Sequence, residues 1–254
     1  MNGGIIGLVP AAGFATRMGE LPCSKELLPI GWTPGHDPSD REKPLAGYLL
    51  ECLASGGVSR ALVITREEKE DIPRRLGDGS EWGLELDYLF VGPTRSTVET
   101  LDAAYERVRD SVVALGYPDI VFRPADAYRQ LAGTWGHGGA DVALGLFPGS
   151  QPERSDMVEL GPAGGVRRIY VKQPDRGLTF TWSIALWGPR FTGYLHEIAR
   201  RTDERPRELH VGDVIQHAID NGLRVVARAF ADGASTDLGT PAALARPPRW
   251  LTAG

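Results

Sequence analysis

The chain alternates short, continuous apolar runs with longer segments whose apolar residues recur at helical spacing. Ile5-Ile6-Gly7-Leu8-Val9, stopped by Pro10, reads as a buried strand running into a loop. Leu45, Leu49, Leu50 and Leu53 repeat at helical spacing and Gly56-Gly57 supplies a stop, so a helix is expected over residues 44–55. Ala61-Leu62-Val63-Ile64-Thr65 follows as a strand. Strand, helix and strand within the first quarter form the pattern of a right-handed βαβ unit, with parallel strands and helices on the sheet faces.

The alternation continues. A strand is expected at 84–91, a helix at 96–109 and a strand at the β-branched run 111–115. Apolar runs at 140–147, 166–171, 181–187 and 223–230 extend the sheet, while 191–201 and 211–221 read as helices. Segment 31–42, rich in Pro, Gly and Asp, and segment 133–139, with Gly at both ends, read as surface loops. Neither forces a boundary. The expected fold is α/β: a single domain over residues 1–254 with a Rossmann-like, mixed, mostly parallel sheet and helices on both faces. Open sheets of this kind bind ligands beyond the carboxyl ends of their strands.

Composition narrows the function classes. With 42% hydrophobic and 24% charged residues, the chain belongs with globular proteins and not with disordered or fibrous ones. A net charge of -5 without a basic stripe argues against nucleic-acid partners. It leaves room for an anionic ligand, because a few Arg and Lys in a pocket suffice. Cys23 and Cys52 are too few for a disulfide scaffold and lack the spacing of a metal knuckle, so a reducing cytoplasm is the expected location. Residues 1–10 carry no basic lead or cleavage pattern, and no apolar run reaches membrane-spanning length, so neither secretion nor membrane insertion is expected.

The first strand exits through Pro10-Ala11-Ala12-Gly13-Phe14-Ala15-Thr16-Arg17. Small side chains let backbone N–H groups approach phosphate oxygens, Arg17 can add a charge-assisted fork, and Lys25 can add a point charge. Small residues after a strand also make plain tight turns, and the segment matches neither G-x-G-x-x-G nor the P-loop pattern. These residues alone leave both readings open.

The longer string of residues 10–18, followed by Lys25-Glu26-Leu27-Leu28-Pro29 and Lys43-Pro44-Leu45, resembles the signature of the sugar-1-phosphate nucleotidylyltransferases. That family includes glucose-1-phosphate thymidylyl- and uridylyltransferases. Later landmarks follow in the family's order: Gly116-Tyr117-Pro118-Asp119, Val171-Lys172-Gln173-Pro174 and Thr236-Asp237-Leu238-Gly239-Thr240-Pro241. The resemblance implies the nucleotide-diphospho-sugar transferase type of fold. It implies that Ala11, Ala12, Gly13, Thr16, Arg17 and Lys25 cradle a nucleoside triphosphate, with Thr100 near the base. Asp119 and Asp237 would hold Mg²⁺, and Lys172 would meet the acceptor phosphate. Arg17, Lys25 and Lys172 are thus the expected catalytic cations, and a homo-oligomer is the expected assembly.

The chemistry wants these groups. Joining a phosphate monoester to the α-phosphate of a triphosphate sets two anions against each other, so charge neutralisation is the main demand. Mg²⁺ takes one or two carboxylates and completes its octahedron with waters and phosphates. The acceptor phosphate is already ionised, so no general base is required. Each residue also has a duller use: Asp119 and Asp237 as turn formers, Lys172 as a partner of Asp175, Ser96 as a helix cap. His36, His137, His196, His210 and His217 show no zinc spacing and read as surface or helix-face groups. Trp182 and Trp187 read as core, with Trp182 able to serve as a sugar platform as well.

The sequence departs from the family at four places, one of them a segment from Arg17 to Lys25 that is shorter than in the familiar thymidylyl and uridylyl enzymes. Ala15 stands where Gly is usual, so a loop without positive φ is expected there. Tyr117-Pro118-Asp119 replaces the usual Gly-Asp-Asn, and Pro93-Thr94-Arg95-Ser96 lies where a pyrimidine-reading Gln is common. Base and acceptor therefore stay open. The first expectation is dTTP or UTP with a sugar-1-phosphate, and the second is CTP with a non-sugar phosphate or phosphonate. A non-catalytic nucleotide-binding relative is the third reading. A dinucleotide-dependent oxidoreductase lacks its glycine fingerprint.

Overall fold

The computed structural model describes residues 4–15, 18–136, 139–149, 153–161, 164–173, 176–201 and 208–252. Among them the strands are β1 (Ile5–Pro10), β2 (Arg60–Thr65), β3 (Glu85–Phe90), β4 (Val112–Leu115), β5 (Ile120–Arg123), β6 (Val142–Pro148), β7 (Asp156–Leu160), β8 (Val166–Val171), β9 (Phe180–Trp187), β10 (Val225–Ala229) and β11 (Ala234–Asp237). The helices are α1 (Leu45–Ser55), α2 (Asp71–Leu76), α3 (Thr97–Asp102), α4 (Tyr105–Val108), α5 (Ala127–Gly136), α6 (Pro189–Arg200), α7 (Val211–Asp220), α8 (Pro241–Ala245) and α9 (Arg249–Thr252). The main sheet runs β10-β6-β9-β4-β1-β2-β3. Its neighbours are parallel except for β9, which lies antiparallel to both β4 and β6. This is the mixed, mostly parallel α/β sheet expected from the alternation.

The strands are continuous apolar runs because both faces are covered. Leu8, Leu62, Ile64, Val113 and Leu115 pack against Val98, Leu101, Phe191, Val214 and Ile215, from the layer of α3, α6 and α7. Their neighbours Val9, Ala61, Val63 and Ala114 face the other way, onto Leu49, Leu50 and Leu53 of α1 and Tyr128 and Leu131 of α5. No described helix is long and apolar enough to cross a membrane.

Two expectations need correction. The helix expected over 96–109 is split into α3 and α4 around Ala103 and Ala104. The loop expected over 133–139 is overturned for its first half, since α5 runs through Gly133 to Gly136. Burial of Tyr128 and Leu131, with Tyr128 Oη donating to Leu115 O at 2.8 Å, stabilises that helix against its glycines. His137 and Gly138 lie outside the described residues. Segment 31–42 carries neither helix nor strand, as expected, although Trp32 inside it is buried.

A small ribbon and a third apolar cluster do most to place the site. β5 and β11 pair antiparallel with Asp237 opposite Ile120, and Leu238 N donates to Asp119 O at 2.8 Å. Met18, Leu28, Trp32, Leu45, Val121, Leu238 and Leu244 pack together beneath them. Full burial of a leucine contributes roughly 1.5–3 kcal/mol, so this cluster fastens the segment after β1 to the ribbon. Residues about a hundred and two hundred positions apart are thereby held at one end of the sheet.

Candidate active site

Asp119 precedes β5 and Asp237 ends β11, so the ribbon brings their carboxylates together. A Cβ built on Gly239 would lie 2.8 Å from Asp119 Oδ2 and 2.9 Å from Asp237 Oδ1. The two oxygens thus converge on one point, and only glycine fits there. Asp237 Oδ1 also accepts from Gly239 N at 2.7 Å, so the turn-forming use of this residue is real and leaves Oδ2 to other partners. Lys25 Nζ lies 2.6 Å from Asp119 Oδ2, with both side chains 16% exposed. Burial works against the Lys25 charge, but Asp119, Glu26 and Asp237 outweigh it and hold its pKa above the ordinary value. Lys25 is a permanent cation beside the carboxylate pair.

Among the described residues no group of three or more His, Cys, Asp or Glu side chains converges for a metal. A cation held by Asp119 and Asp237 would need further oxygens from a ligand and from water, which fits Mg²⁺ and not a closed protein cage. The thiols offer no nucleophile, since burial pushes Cys23 up to about 11 and Cys52 up to about 12.

The loop after β1 is anchored from below. Ala11 N donates to Ile64 O at 2.7 Å, and Ala11 O accepts from Lys69 Nζ at 2.8 Å. Ala11 therefore spends both backbone groups inside the protein; Ala12 beside it is buried as well, and Gly13 is exposed. No protein atom comes within 4 Å of a Cβ built on Gly13, so its small size serves approach from outside. Ala15 adopts φ +52°, which corrects the expectation of a loop without positive φ: the left-handed turn is made by alanine at a modest strain. Thr16 and Arg17 lie outside the described residues.

Lys69 also bonds both oxygens of Glu26 at 3.0 Å, and Glu26 is 1% exposed. Burial raises the Glu26 pKa, opposed by Lys69 and Lys25. Ser24 is pinned by Asp71, with N to Oδ2 at 2.6 Å and Oγ to Oδ1 at 2.7 Å. The short 3-10 turn Lys25–Leu27 is thereby tied to the loop, so Lys25 and Ala12 share one scaffold.

A cavity of about 750 Å³ opens at this end of the sheet, and Asp119 and Asp237 line it together with Lys172, Asp156, Trp182 and His210. That volume suits a ligand of metabolite size. Lys172 follows β8 with φ +48°, a left-handed conformation of the kind that collects at functional sites. Its Nζ lies 3.4 Å from His210 Nδ1 and 3.3 Å from Nε2. His210 N is capped by Asp213 Oδ2 at 3.1 Å, just ahead of α7.

Asp119, Asp237, Lys25 and Lys172 are thus brought to one region. Thr100 does not itself line the cavity, although Thr97 one turn ahead of it does; it is buried, and its hydroxyl is taken up by Thr94 Oγ1 at 2.7 Å and Ser96 O at 3.2 Å. Ser96 caps α3 by accepting from Glu99 N, the dull reading of that position. Asp175 lies outside the described residues. Sequence reasoning missed Asp156, His210 and the Glu26–Lys69 pair. The one available signal was Glu26 itself, an acid followed directly by the apolar Leu27 and Leu28.

A cavity beyond the strand ends lies where open α/β sheets bind their ligands. The chain belongs to the nucleotidyl transferase family, whose model matches residues 11–249. A glucose-1-phosphate thymidylyltransferase of Streptomyces antibioticus is 28% identical over 225 residues, covering 86% of this chain and 58% of that protein. The chain thus spans a little over half the length of the first curated relatives that it matches. The fold is shared with the inositol-1-phosphate CTP transferase from T. maritima, at a TM-score of 0.75 and 18% identity over 97% of this chain and 93% of that one. It is shared also with the UTP-bound UGPase from Acinetobacter baumannii, at 0.74 and 12% over 95% and 90%.

Proposed function

We propose that the protein is a Mg²⁺-dependent nucleotidylyltransferase that passes the nucleotidyl group of a nucleoside triphosphate to a phosphorylated small molecule and releases pyrophosphate. The first pairing is dTTP or UTP with a sugar-1-phosphate, in line with the thymidylyltransferase relative. The observation that carries the reading is the convergence of Asp119 and Asp237 beside Lys25, at a cavity that also contains Lys172.

Asp119 and Asp237 would hold the divalent cation, which when bound neutralises charge on the triphosphate. Ala12 and Gly13 offer backbone N–H groups to the polyphosphate, with Thr16 and Arg17 assigned to it by their place in the sequence. Lys25 stabilises charge that accumulates on the departing pyrophosphate. Lys172 holds the acceptor phosphate in line with the α-phosphorus, which turns an encounter between anions into an oriented displacement. An acceptor phosphate oxygen forms the new bond to the α-phosphorus as the α–β bridging P–O bond breaks and the electron pair leaves with pyrophosphate.

The test is a pyrophosphate-release assay of four triphosphates against glucose-1-phosphate and non-sugar phosphates, with Mg²⁺ or with excess EDTA. Release is expected only when triphosphate, acceptor and Mg²⁺ are all present, with EDTA reducing it to background. Release confined to CTP and a non-sugar acceptor would select the second pairing, whose fold precedent is the inositol-1-phosphate CTP transferase. Triphosphate binding without release under any combination would make the protein a non-catalytic relative and overturn the reading.

A further inference from the structure

Asp156 is a half-buried carboxylate on the cavity wall with no part in the chemistry above. Its Oδ2 accepts from Trp182 Nε1 at 3.3 Å, and among the described residues Oδ1 accepts no side-chain hydrogen bond. The carboxylate also lies against the first turn of α7. A Cβ built on Gly212 would stand 2.3 Å from Asp156 Oδ2, so the acid occupies its place only because residue 212 has no side chain. Burial pushes Asp156 up to about 6, with the Lys172 charge acting the other way. Tyr117 and Trp182 line the same cavity, with ring centroids 6.2 Å apart.

The electrostatics of a loaded site follow from these facts. Lys172 is the cation that favours ionised Asp156, and the proposed function draws Lys172 to the acceptor phosphate. A neutral acceptor would then bring a dianion toward Asp156 and engage its one supporting cation. An acceptor that carries its own positive charge restores the balance, and rings beside a carboxylate favour a cation further. We propose that Asp156, with Trp182 and Tyr117, receives a cationic nitrogen of the acceptor, so that the acceptor is a phosphomonoester bearing an ammonium group. The inference rests on the nucleotidylyltransferase reading and specifies its acceptor. The nitrogen has two sources, an amino sugar or an aminoalcohol.

The experiment compares matched pairs by pyrophosphate release: glucosamine-1-phosphate with glucose-1-phosphate, and phosphoethanolamine or phosphocholine with 2-hydroxyethyl phosphate. In the parent protein one amine-bearing member is expected to exceed its neutral counterpart in kcat/KM by on the order of tenfold or more, and the pair in which this occurs names the source. In Asp156→Asn, which keeps an acceptor for Trp182 Nε1, the ratio within that pair is expected to fall to near one, through KM more than kcat. Equal or better use of the neutral members by the parent protein overturns the inference, as does an unchanged ratio in Asp156→Asn with an unaltered melting temperature. In both cases the nucleotidylyltransferase reading survives. Absence of release with every acceptor defeats that reading instead, and this inference with it.

Discussion

Asp237→Asn is expected to lower kcat/KM by about a thousandfold or more while leaving the fold intact. The loss follows from charge. Among the described residues no third His, Cys, Asp or Glu side chain joins the two carboxylates, and an amide in place of one of them would weaken the hold on the proposed divalent cation. Removing a single preorganised electrostatic contact of this kind costs on the order of 10²–10³ in rate, and loss of a metal ligand acts on binding as well. Asparagine retains the oxygen that accepts from Gly239 N at 2.7 Å, so the turn is preserved. Thermal melting within a few degrees of the parent is the accompanying expectation. Asp119→Asn should match it in rate, and the double variant should be little worse than either single one, because residues acting as one unit are not additive. Stopped-time assays of pyrophosphate release, with melting curves on the same samples, provide the check. Activity within tenfold of the parent for both single variants would remove the carboxylate pair from the mechanism.

Lys69→Met carries the largest expected effect on stability. The ammonium bonds both oxygens of Glu26 and the carbonyl of Ala11 in a buried position, so its removal strands an acid and an acceptor away from water. Breaking a buried pair from one side costs roughly 3–5 kcal/mol. Replacing both members with neutral residues of similar size costs much less, so Glu26→Gln in combination with Lys69→Met should recover a large part of the loss. Urea unfolding of the parent, the single variant and the double variant measures this directly. A Lys69→Met loss below about 1 kcal/mol would mean that water or a shifted pKa already relieves Glu26. The double variant should also raise KM for the triphosphate, since Lys69 holds the carbonyl of Ala11 in the loop proposed to cradle it.

The main sheet was readable because its strands are buried on both faces and therefore appear as unbroken apolar runs, as in Leu8-Val9 and Leu62-Val63-Ile64. β5 and β11 were not. β11 is Ala-Ser-Thr-Asp, with hardly an apolar residue, and its pairing with β5 is a long-range contact that no local pattern encodes. α5 was hidden by Gly133, Thr134 and Gly136, whose low helix propensity is outweighed by Tyr128 and Leu131. The site shows the same division. Asp119, Asp237, Lys25 and Lys172 stand in ordered motifs that are visible in the sequence itself. Lys69 sits among Glu67, Glu68 and Glu70 and reads as one charge in a solvated run until the fold turns it inward. Asp156 and Gly212 are 56 positions apart, and only packing reveals that one exists at the expense of a side chain on the other.

The most direct test of the central claim is anomalous diffraction from crystals grown with Mn²⁺ and a non-hydrolysable triphosphate analogue. One strong peak is predicted, about 2.1 Å from a carboxylate oxygen of each of Asp119 and Asp237 and in contact with phosphate oxygens. A triphosphate bound with its cation away from both aspartates would contradict the account.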